Sequence, residues 1–177
     1  MILWVNGPFG GGKTTTVRAL LEQRSDFSVF DTEWIGAMLE APLRRKLPVD
    51  DFQEWTAWRE LVVASLLSIH KAVRGTIVVP QTVLVEQYWD EVVDGLARGG
   101  VGVEAVTLVA DRSELEQRIR GDQVESSAVD WRLRRLADFE TAAWLTHRTK
   151  LISTMDRTPE QVATSVLDAV RGNESAR

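Results

Sequence analysis

The sequence of 177 residues contains no cysteine, which excludes both disulfides and thiolate metal sites. No apolar run approaches the roughly 18 residues that a membrane-spanning helix needs, and the N-terminus lacks the pattern of a secretory signal. The net charge of −5 argues against nonspecific nucleic-acid binding, which requires a basic surface. We therefore expect one cytoplasmic domain over residues 1–172, with a frayed tail over 173–177, no transmembrane segment and no nucleic-acid partner.

A glycine-rich segment near the N-terminus organises the rest of the chain. Residues 7–14 fit the phosphate-binding pattern G-x-x-x-x-G-K-[ST]. An apolar run of strand length precedes the segment at 2–6, and apolar residues at helical spacing follow it over 14–24. Strand, loop and helix in this order place backbone N–H groups and a positive helix end around phosphates.

The loop therefore predicts binding of ATP and Mg²⁺. We expect the Lys13 ammonium to reach the β- and γ-phosphates and the Thr14 hydroxyl to ligate the metal. The residues expected to contact the nucleotide here are Gly7, Phe9, Gly10, Gly11, Gly12, Lys13, Thr14 and Thr15.

Strand and helix patterns alternate along the remaining chain. Such alternation predicts an α/β fold with a parallel sheet covered by helices on both faces. Pro42 and Pro48 are expected to mark irregular chain. Asp51, with Glu54 three residues later, is expected to form a capping box that opens a helix, and Ser113 to cap another. The further strands are predicted at 28–31, 76–80, 103–109 and 151–153, and the further helices at 33–39, 51–73, 86–98, 113–120, 130–146 and 158–170.

The positions of the acidic residues indicate which class of phosphate-loop protein this is. Motor and switch enzymes carry a magnesium-binding aspartate at the end of an apolar strand, but the strand over 76–80 continues into Gln81 and Thr82. The remaining candidate is Asp31, at the end of the second strand, as a base that orients an acceptor hydroxyl and takes its proton. Alternatively, Asp31 caps the following helix. For Glu33, in the first helical turn, a role with the helix dipole is the favoured interpretation.

Arginines cluster after the fourth strand. Arg118 and Arg120 precede a polar segment over 121–127, which we expect to be a mobile loop, and Arg132, Arg134 and Arg135 follow it. We predict a lid over residues 118–135 whose arginines neutralise the transferring phosphoryl group and exclude water. Individually, each arginine is more typical of a solvated surface charge, whereas the group as a whole favours at least one phosphate contact.

A tryptophan- and arginine-containing helix predicts the acceptor side, within residues 33–74. If one helix carries Trp55, Trp58 and Arg59, the three side chains share a face that could hold a sugar or base. The alternative is that Trp55 begins an apolar stripe and packs against the sheet.

Several of these segments occur together in a known family. The motifs are Ile2-Leu3-Trp4-Val5-Asn6-Gly7-x-Phe9-Gly10, Val29-Phe30-Asp31, Asp51-Phe52-Gln53-x-Trp55-x-x-Trp58-Arg59, Ile77-Val78-Val79-Pro80-Gln81-Thr82 and Leu115-x-x-Arg118-x-Arg120. Together they resemble the tunicamycin-resistance proteins and, more distantly, chloramphenicol phosphotransferase and shikimate kinase.

The resemblance implies an adenylate-kinase-like fold with a five-stranded parallel sheet in the order 2-3-1-4-5. It also implies that ATP–Mg²⁺ phosphorylates a hydroxyl of a nucleoside-type antibiotic and so inactivates it. By position, Lys13, Asp31 and Arg118 would act in catalysis and Arg118 and Arg120 would contact the nucleotide. The residues expected to contact the acceptor are Asp31, Trp34, Trp55, Trp58, Arg59, Gln81, Thr82 and Arg135.

Two departures from the family pattern leave alternatives open. The chain is short at its C-terminus, and residues 121–127 contain no arginine, so the catalytic lid arginine is not identified. The protein could instead be a housekeeping small-molecule or nucleoside kinase, or an ATP-binding protein that sequesters the antibiotic without chemistry. Monomer and homodimer are both open.

Overall fold

A five-stranded, all-parallel sheet forms the centre of the computed structural model, which describes residues 1–122 and 128–174. The strand order β2-β3-β1-β4-β5 confirms the predicted 2-3-1-4-5 topology. The strands are β1 Ile2–Asn6, β2 Phe27–Val29, β3 Thr76–Pro80, β4 Val103–Val109 and β5 Lys150–Ser153. The helices are α1 Lys13–Gln23, α2 Glu33–Leu43, α3 Thr56–Ala72, α4 Glu86–Arg98, α5 Arg112–Gly121, α6 Val129–Thr141, α7 Leu145–Arg148 and α8 Pro159–Glu174, with a 3-10 turn at Phe52–Glu54.

Two apolar cores, one on each face of the sheet, hold this arrangement. Every residue of β1 is buried, and β1 lies between β3 and β4. Such strands read as continuous apolar runs because both of their faces are covered. On one face pack side chains of α3 and α4, including Trp58, Val62 and Trp89; on the other pack side chains of α1 and α8. The two cores fix the carboxyl ends of β1 and β3 side by side.

Four helical features differ from the sequence prediction, in addition to β2, which ends at Val29 rather than at Asp31. Pro42 lies inside α2 rather than in irregular chain. The helix tolerates it because Pro42 falls in the last turn, where the one lost bond would go to Met38, a residue 58% exposed to water. The predicted helix over 130–146 is interrupted at Ala142, whose ψ of 62° is not helical. The helix predicted to be capped by Ser113 begins at Arg112, after Asp111.

The fourth difference concerns the capping box at Asp51. The box forms as expected, but it opens the 3-10 turn, and Trp55 is extended before α3 begins. At the other end, α8 includes the first two residues of the predicted tail, and 175–177 lie outside the described residues. Most of the loop expected over 121–127 also lies outside them. Within the described part of the chain, no helix is long and apolar enough to cross a membrane.

Candidate active site

The glycine-rich segment forms a tight loop between β1 and α1. Gly7 has a φ of 146°, and a Cβ there would lie 2.9 Å from the Leu108 carbonyl oxygen. Gly12 is left-handed, with a φ of 87°, and precedes α1 without a side-chain cap. A helix N-terminus without a cap presents N–H donors and a positive dipole end to an anion. Glycines are therefore needed for the shape of this loop.

Side chains from outside the motif brace the loop. The buried Asn6 Oδ1 accepts hydrogen bonds from the amides of Gly7 (2.8 Å) and Val83 (3.1 Å). The Thr82 hydroxyl donates to the Gly7 carbonyl at 2.6 Å. The chain after β3 is thereby tied to the phosphate loop, and Thr82 serves the loop as well as the cavity wall. The bracing role of Asn6 was not predicted, since its partner lies 77 residues away.

Lys13 bends back over the loop. Its Nζ donates to the carbonyl oxygens of Gly7 (2.9 Å) and Pro8 (3.0 Å) and lies 5.5 Å from the centroid of the Phe9 ring. Burial lowers the pKa of Lys13 from its ordinary 10.5 to about 8, although the nearby Glu33 carboxylate opposes the shift. The loop therefore holds an ammonium group at reduced pKa where an anion would stabilise its charge.

A cavity of about 420 Å³ opens in front of this loop. One wall is the loop itself with the start of α1. A second wall comes from α2, the 3-10 turn and the chain after β3, and α6 contributes further lining residues. The lining residues are Pro8, Phe9, Gly10, Gly12, Lys13, Thr14, Thr15, Glu33, Asp51, Phe52, Gln53, Gln81, Thr82, Asp122, Ala128, Trp131, Arg132 and Arg135.

The carboxylate after β2 that lines the cavity is Glu33 rather than Asp31. The Asp31 Oδ1 accepts a hydrogen bond from the Glu33 amide at 2.9 Å, which is the helix-start role considered as its alternative. Asp31 is absent from the cavity lining, whereas Glu33 lies close enough to Lys13 to affect its pKa. The prediction of Asp31 as the base thus loses its geometric support.

Asp51 is a second lining carboxylate, and sequence reasoning gave it only a capping role. Its side chain is 11% exposed, and its Oδ1 accepts from the Gln53 amide at 3.0 Å. Burial raises the pKa of Asp51, although Arg135 opposes the shift. Gln53 and Gln81 complete this wall; Gln53 Nε2 donates to the Thr82 carbonyl at 2.8 Å. Of the predicted acceptor residues, Gln81 and Thr82 do line the cavity.

The two helix tryptophans do not face the cavity. Trp58 is completely buried in the core, where its Nε1 donates to the Thr32 carbonyl at 3.1 Å. Trp55, 4% exposed, donates to the Leu47 carbonyl at 2.9 Å. The prediction that these two rings bind the acceptor is wrong, because both are packing residues. Trp34 is 76% exposed and lies outside the cavity lining.

Arg59 is also a structural residue, contrary to the prediction. It is 6% exposed and its guanidinium donates to Glu91, to the Gln53 carbonyl and, at 3.2 Å, to the Thr56 hydroxyl. It also lies over the ring of Tyr88, 4.2 Å from the centroid. These partners hold Arg59 between α3 and α4, behind the cavity wall.

The predicted lid arginines separate into two groups. Arg132 and Arg135, both on α6, line the cavity. Arg132 pairs with Asp122 at 2.7 Å, and Arg135 pairs with Asp51 at 3.1 Å and with Asp138 at 2.9 Å.

Arg118 and Arg120, both on α5, do not line the cavity. Arg118 donates to the Gly10 carbonyl at 3.3 Å and to the Thr154 hydroxyl at 3.0 Å, and so joins the phosphate loop to the chain after β5. Arg120 is exposed.

The donors near the loop suit Mg²⁺ bound together with phosphates. Mg²⁺ in such sites takes one or two protein ligands and completes its octahedron with phosphate and water oxygens. Thr14 is exposed, and it lies on the cavity wall beside the loop. Across the described ranges, no group of three or more histidines and carboxylates forms a separate metal site.

Solved structures of known proteins share this fold. The tunicamycin resistance protein of Deinococcus radiodurans is 29% identical, with a TM-score of 0.71 over 96% of this chain and 94% of that protein. A shikimate kinase from Acinetobacter baumannii, solved with shikimate, is 19% identical, with a TM-score of 0.65 over 97% and 93%. An APS kinase from Mycobacterium tuberculosis, solved with AMPPNP and APS, is 17% identical, with a TM-score of 0.58 over 96% of each chain.

These similarities confirm the predicted resemblance to tunicamycin resistance proteins and, more distantly, to shikimate kinase. At under a quarter identity, the two kinases establish the fold alone, which is that of phosphate-loop kinases. No curated protein matches by sequence. A family model described as an AAA domain matches residues 2–143, and the chain belongs to that family of phosphate-loop proteins.

Proposed function

We propose that this protein is an ATP-dependent phosphotransferase that phosphorylates a hydroxyl of a nucleoside-type antibiotic resembling tunicamycin. The observation that carries the proposal is one cavity lined both by the phosphate loop and by carboxylate and amide side chains of an acceptor wall, which comes from α2, the 3-10 turn and the chain after β3. A cavity that holds a phosphate donor and an acceptor together can align the two reactants, which is most of what phosphoryl transfer requires.

The donor half consists of the phosphate loop and the first turn of α1. The uncapped helix start and the Lys13 ammonium would hold the β- and γ-phosphates of ATP, and the Thr14 hydroxyl would hold Mg²⁺. When bound, Mg²⁺ supplies charge neutralisation at the phosphates. To reach a phosphate, Lys13 must exchange its bonds to the Gly7 and Pro8 carbonyls for the anion.

On the acceptor half, we assign the base to Glu33. Its carboxylate lines the cavity and lies near Lys13, so it is placed to orient an acceptor hydroxyl and to take its proton as the phosphoryl group arrives. Arg132 and Arg135 on α6 would face the charge that develops on the transferring group. In this scheme residues 118–135 act as the lid, with its cavity-facing cations on α6.

The antibiotic acceptor is supported by the similarity to the Deinococcus radiodurans tunicamycin resistance protein across 94% of that chain. Incubation with ATP, Mg²⁺ and tunicamycin should yield a product heavier by one phosphoryl group, detected by mass spectrometry. Transfer to an ordinary metabolite but to no nucleoside antibiotic would instead support a housekeeping kinase. Tight antibiotic binding without any product would support sequestration.

The base assignment is tested by a pair of variants. Glu33→Gln keeps the size of the side chain but cannot take a proton, so kcat should fall by about 10²-fold or more while KM for ATP changes little. Asp31→Asn retains the helix-start hydrogen bond and should keep most of the wild-type kcat. Steady-state kinetics of both variants distinguish the two assignments. A larger fall in kcat for Asp31→Asn than for Glu33→Gln would identify Asp31 as the base.

A further inference from the structure

The acceptor wall of the cavity is negatively charged. Glu33 and Asp51 are its two carboxylates, and Phe52, Gln53, Gln81 and Thr82 are neutral. Among the described residues that line the cavity, none contributed by α2, the 3-10 turn or the chain after β3 is basic. The basic lining residues are Lys13 in the phosphate loop and Arg132 and Arg135 on α6.

Arg59 could have added a positive charge to this wall, but it does not line the cavity. Arg59 lies on α3, behind the wall, and is neutralised by Glu91. Its guanidinium also donates to the backbone carbonyl of Gln53, so it supports the wall from the rear. Freeing it would break its ion pair with Glu91 and remove this donor from the carbonyl of the buried Gln53, which is unfavourable for a buried acceptor.

Arg135 already shares its charge between two carboxylates. One of its terminal nitrogens donates to Asp51 and the other to Asp138. Asp51 has a second bond that fixes its orientation, because its Oδ1 accepts from the Gln53 amide. Among the described residues, the donors to the Asp51 Oδ2 are Arg135 at 3.1 Å and, through a long contact of 3.5 Å, Gln53 Nε2. That oxygen is the acceptor atom which an incoming hydroxyl or amine can engage.

We propose that Asp51 binds the acceptor and sets its charge class, so that the enzyme takes neutral or amine-bearing hydroxyl compounds and rejects anionic ones. This rests on the proposed phosphotransferase function. A carboxylate or phosphate on the acceptor would lie against Glu33 and Asp51 on a wall whose described lining residues include none that is basic, and it would also be repelled by the phosphates of ATP. A hydroxyl or ammonium group would donate to Asp51, and the ammonium bond would be charge-assisted.

The experiment compares acceptors that differ only in charge. Uridine, 5′-amino-5′-deoxyuridine and uridine 5′-monophosphate form one series; glucose, glucosamine and gluconate form another. Initial rates of ADP formation with product analysis are measured for wild type, Asp51→Asn and the control Asp138→Asn. Asparagine is also a good N-cap, so Asp51→Asn should preserve the 3-10 turn. Asp138 pairs with the same arginine but does not line the cavity.

In wild type, the neutral or amino member of at least one series should be phosphorylated, with kcat/KM at least about tenfold above that of the anionic member. Asp51→Asn should reduce the ratio of amino to anionic kcat/KM by about tenfold, leaving KM for ATP unchanged. Asp138→Asn should leave the ratio as in wild type. A ratio is informative because a general loss of folding would lower all the rates together.

Two results would overturn the proposal. One is efficient phosphorylation of an anionic member by wild type, and the other is an unaltered charge ratio in Asp51→Asn; both would leave the phosphotransferase function standing. Failure of the neutral and amino members in both series overturns the inference as well. If tunicamycin is nevertheless phosphorylated, the phosphotransferase proposal itself survives, so the two failures are distinguishable.

Discussion

At the scale of single residues, the charge of Lys13 depends on what occupies the loop. In the folded protein, burial disfavours the ammonium form and lowers the pKa of Lys13 from the ordinary 10.5 to about 8. Between these two values the unfolded chain binds more protons than the folded one, so the Lys13 contribution to stability becomes less unfavourable as pH rises through this window. Below pH 8 Lys13 is protonated in both the folded and the unfolded chain, so the unfavourable free energy of burying its charge is fully present.

Bound ATP should reverse this shift, since its phosphates stabilise the ammonium. We therefore expect ATP binding at pH 8.5 to take up a proton and ATP affinity to fall as pH rises further, by up to about tenfold per pH unit. Titration calorimetry in two buffers of different ionisation enthalpy measures the uptake. Lys13→Met should abolish it. Equal apparent enthalpies in both buffers for wild type would show that Lys13 does not titrate on binding.

Single residues also show which features of the site could be predicted from the sequence and which could not. The phosphate loop was predictable because its glycines, lysine and threonine are adjacent in the chain. Asn6 and Thr82 brace it through contacts across more than 70 residues, which no local pattern encodes. Trp55 and Arg59 were expected to share a helical face, but Trp55 is extended and precedes α3, so the spacing rule did not apply.

At the scale of elements, α5 positions the nucleotide site through Arg118. Its guanidinium bonds to the Gly10 carbonyl and to Thr154, so it fixes the phosphate loop against the chain after β5. We predict that Arg118→Ala raises KM for ATP by several-fold to about tenfold through loss of these bonds, while kcat changes by no more than about threefold. Steady-state kinetics with varied ATP separate the two parameters.

A different kinetic result would support the catalytic role that the sequence predicted for Arg118. A fall in kcat of about 10²-fold with unchanged KM for ATP would mean that Arg118 acts on the transition state. Thr154→Val is a matched control, because it removes the hydroxyl partner of Arg118 and keeps the shape of the side chain. It should reproduce part of the KM effect.

Three buried tryptophans donate hydrogen bonds to backbone carbonyls in the chain segments that follow β2 and β3. The indole N–H groups of Trp4, Trp58 and Trp144 donate to the carbonyls of Gln81, Thr32 and Leu84, respectively. Sequence counts showed seven tryptophans, but only the fold reveals that these bonds reach chain segments at the carboxyl edge of the sheet. Periodicity predicted the strands well, because strands buried on both faces are continuous apolar runs.

We predict that Trp58→Phe destabilises the fold by about 2 kcal/mol, through the lost hydrogen bond and a small cavity. Urea unfolding followed by circular dichroism measures this change. The exposed Trp34→Phe is the control and should alter stability by less than about 0.5 kcal/mol. A change in acceptor KM without any loss of stability would contradict the core role of Trp58.

At the scale of the whole molecule, the two cores share the strands of one sheet, and the phosphate loop leaves the central strand. The face under α1 and α8 and the face under α3 and α4 both include side chains of β1. The chain should therefore unfold as one cooperative unit, and ligand bound at the loop should stabilise all of it.

ATP–Mg²⁺ at 100 times its Kd should add about 2.7 kcal/mol to the free energy of unfolding. For a domain of this size that corresponds to a rise in Tm of roughly 5–10 °C. Circular dichroism, which follows the backbone, and tryptophan fluorescence, dominated by buried rings on the α3–α4 face, should shift together. Lys13→Met should reduce the ATP-induced rise in Tm measured by both signals. If the fluorescence transition stayed fixed while the circular dichroism moved, the two faces of the sheet would be unfolding separately, and the coupling through β1 would be refuted.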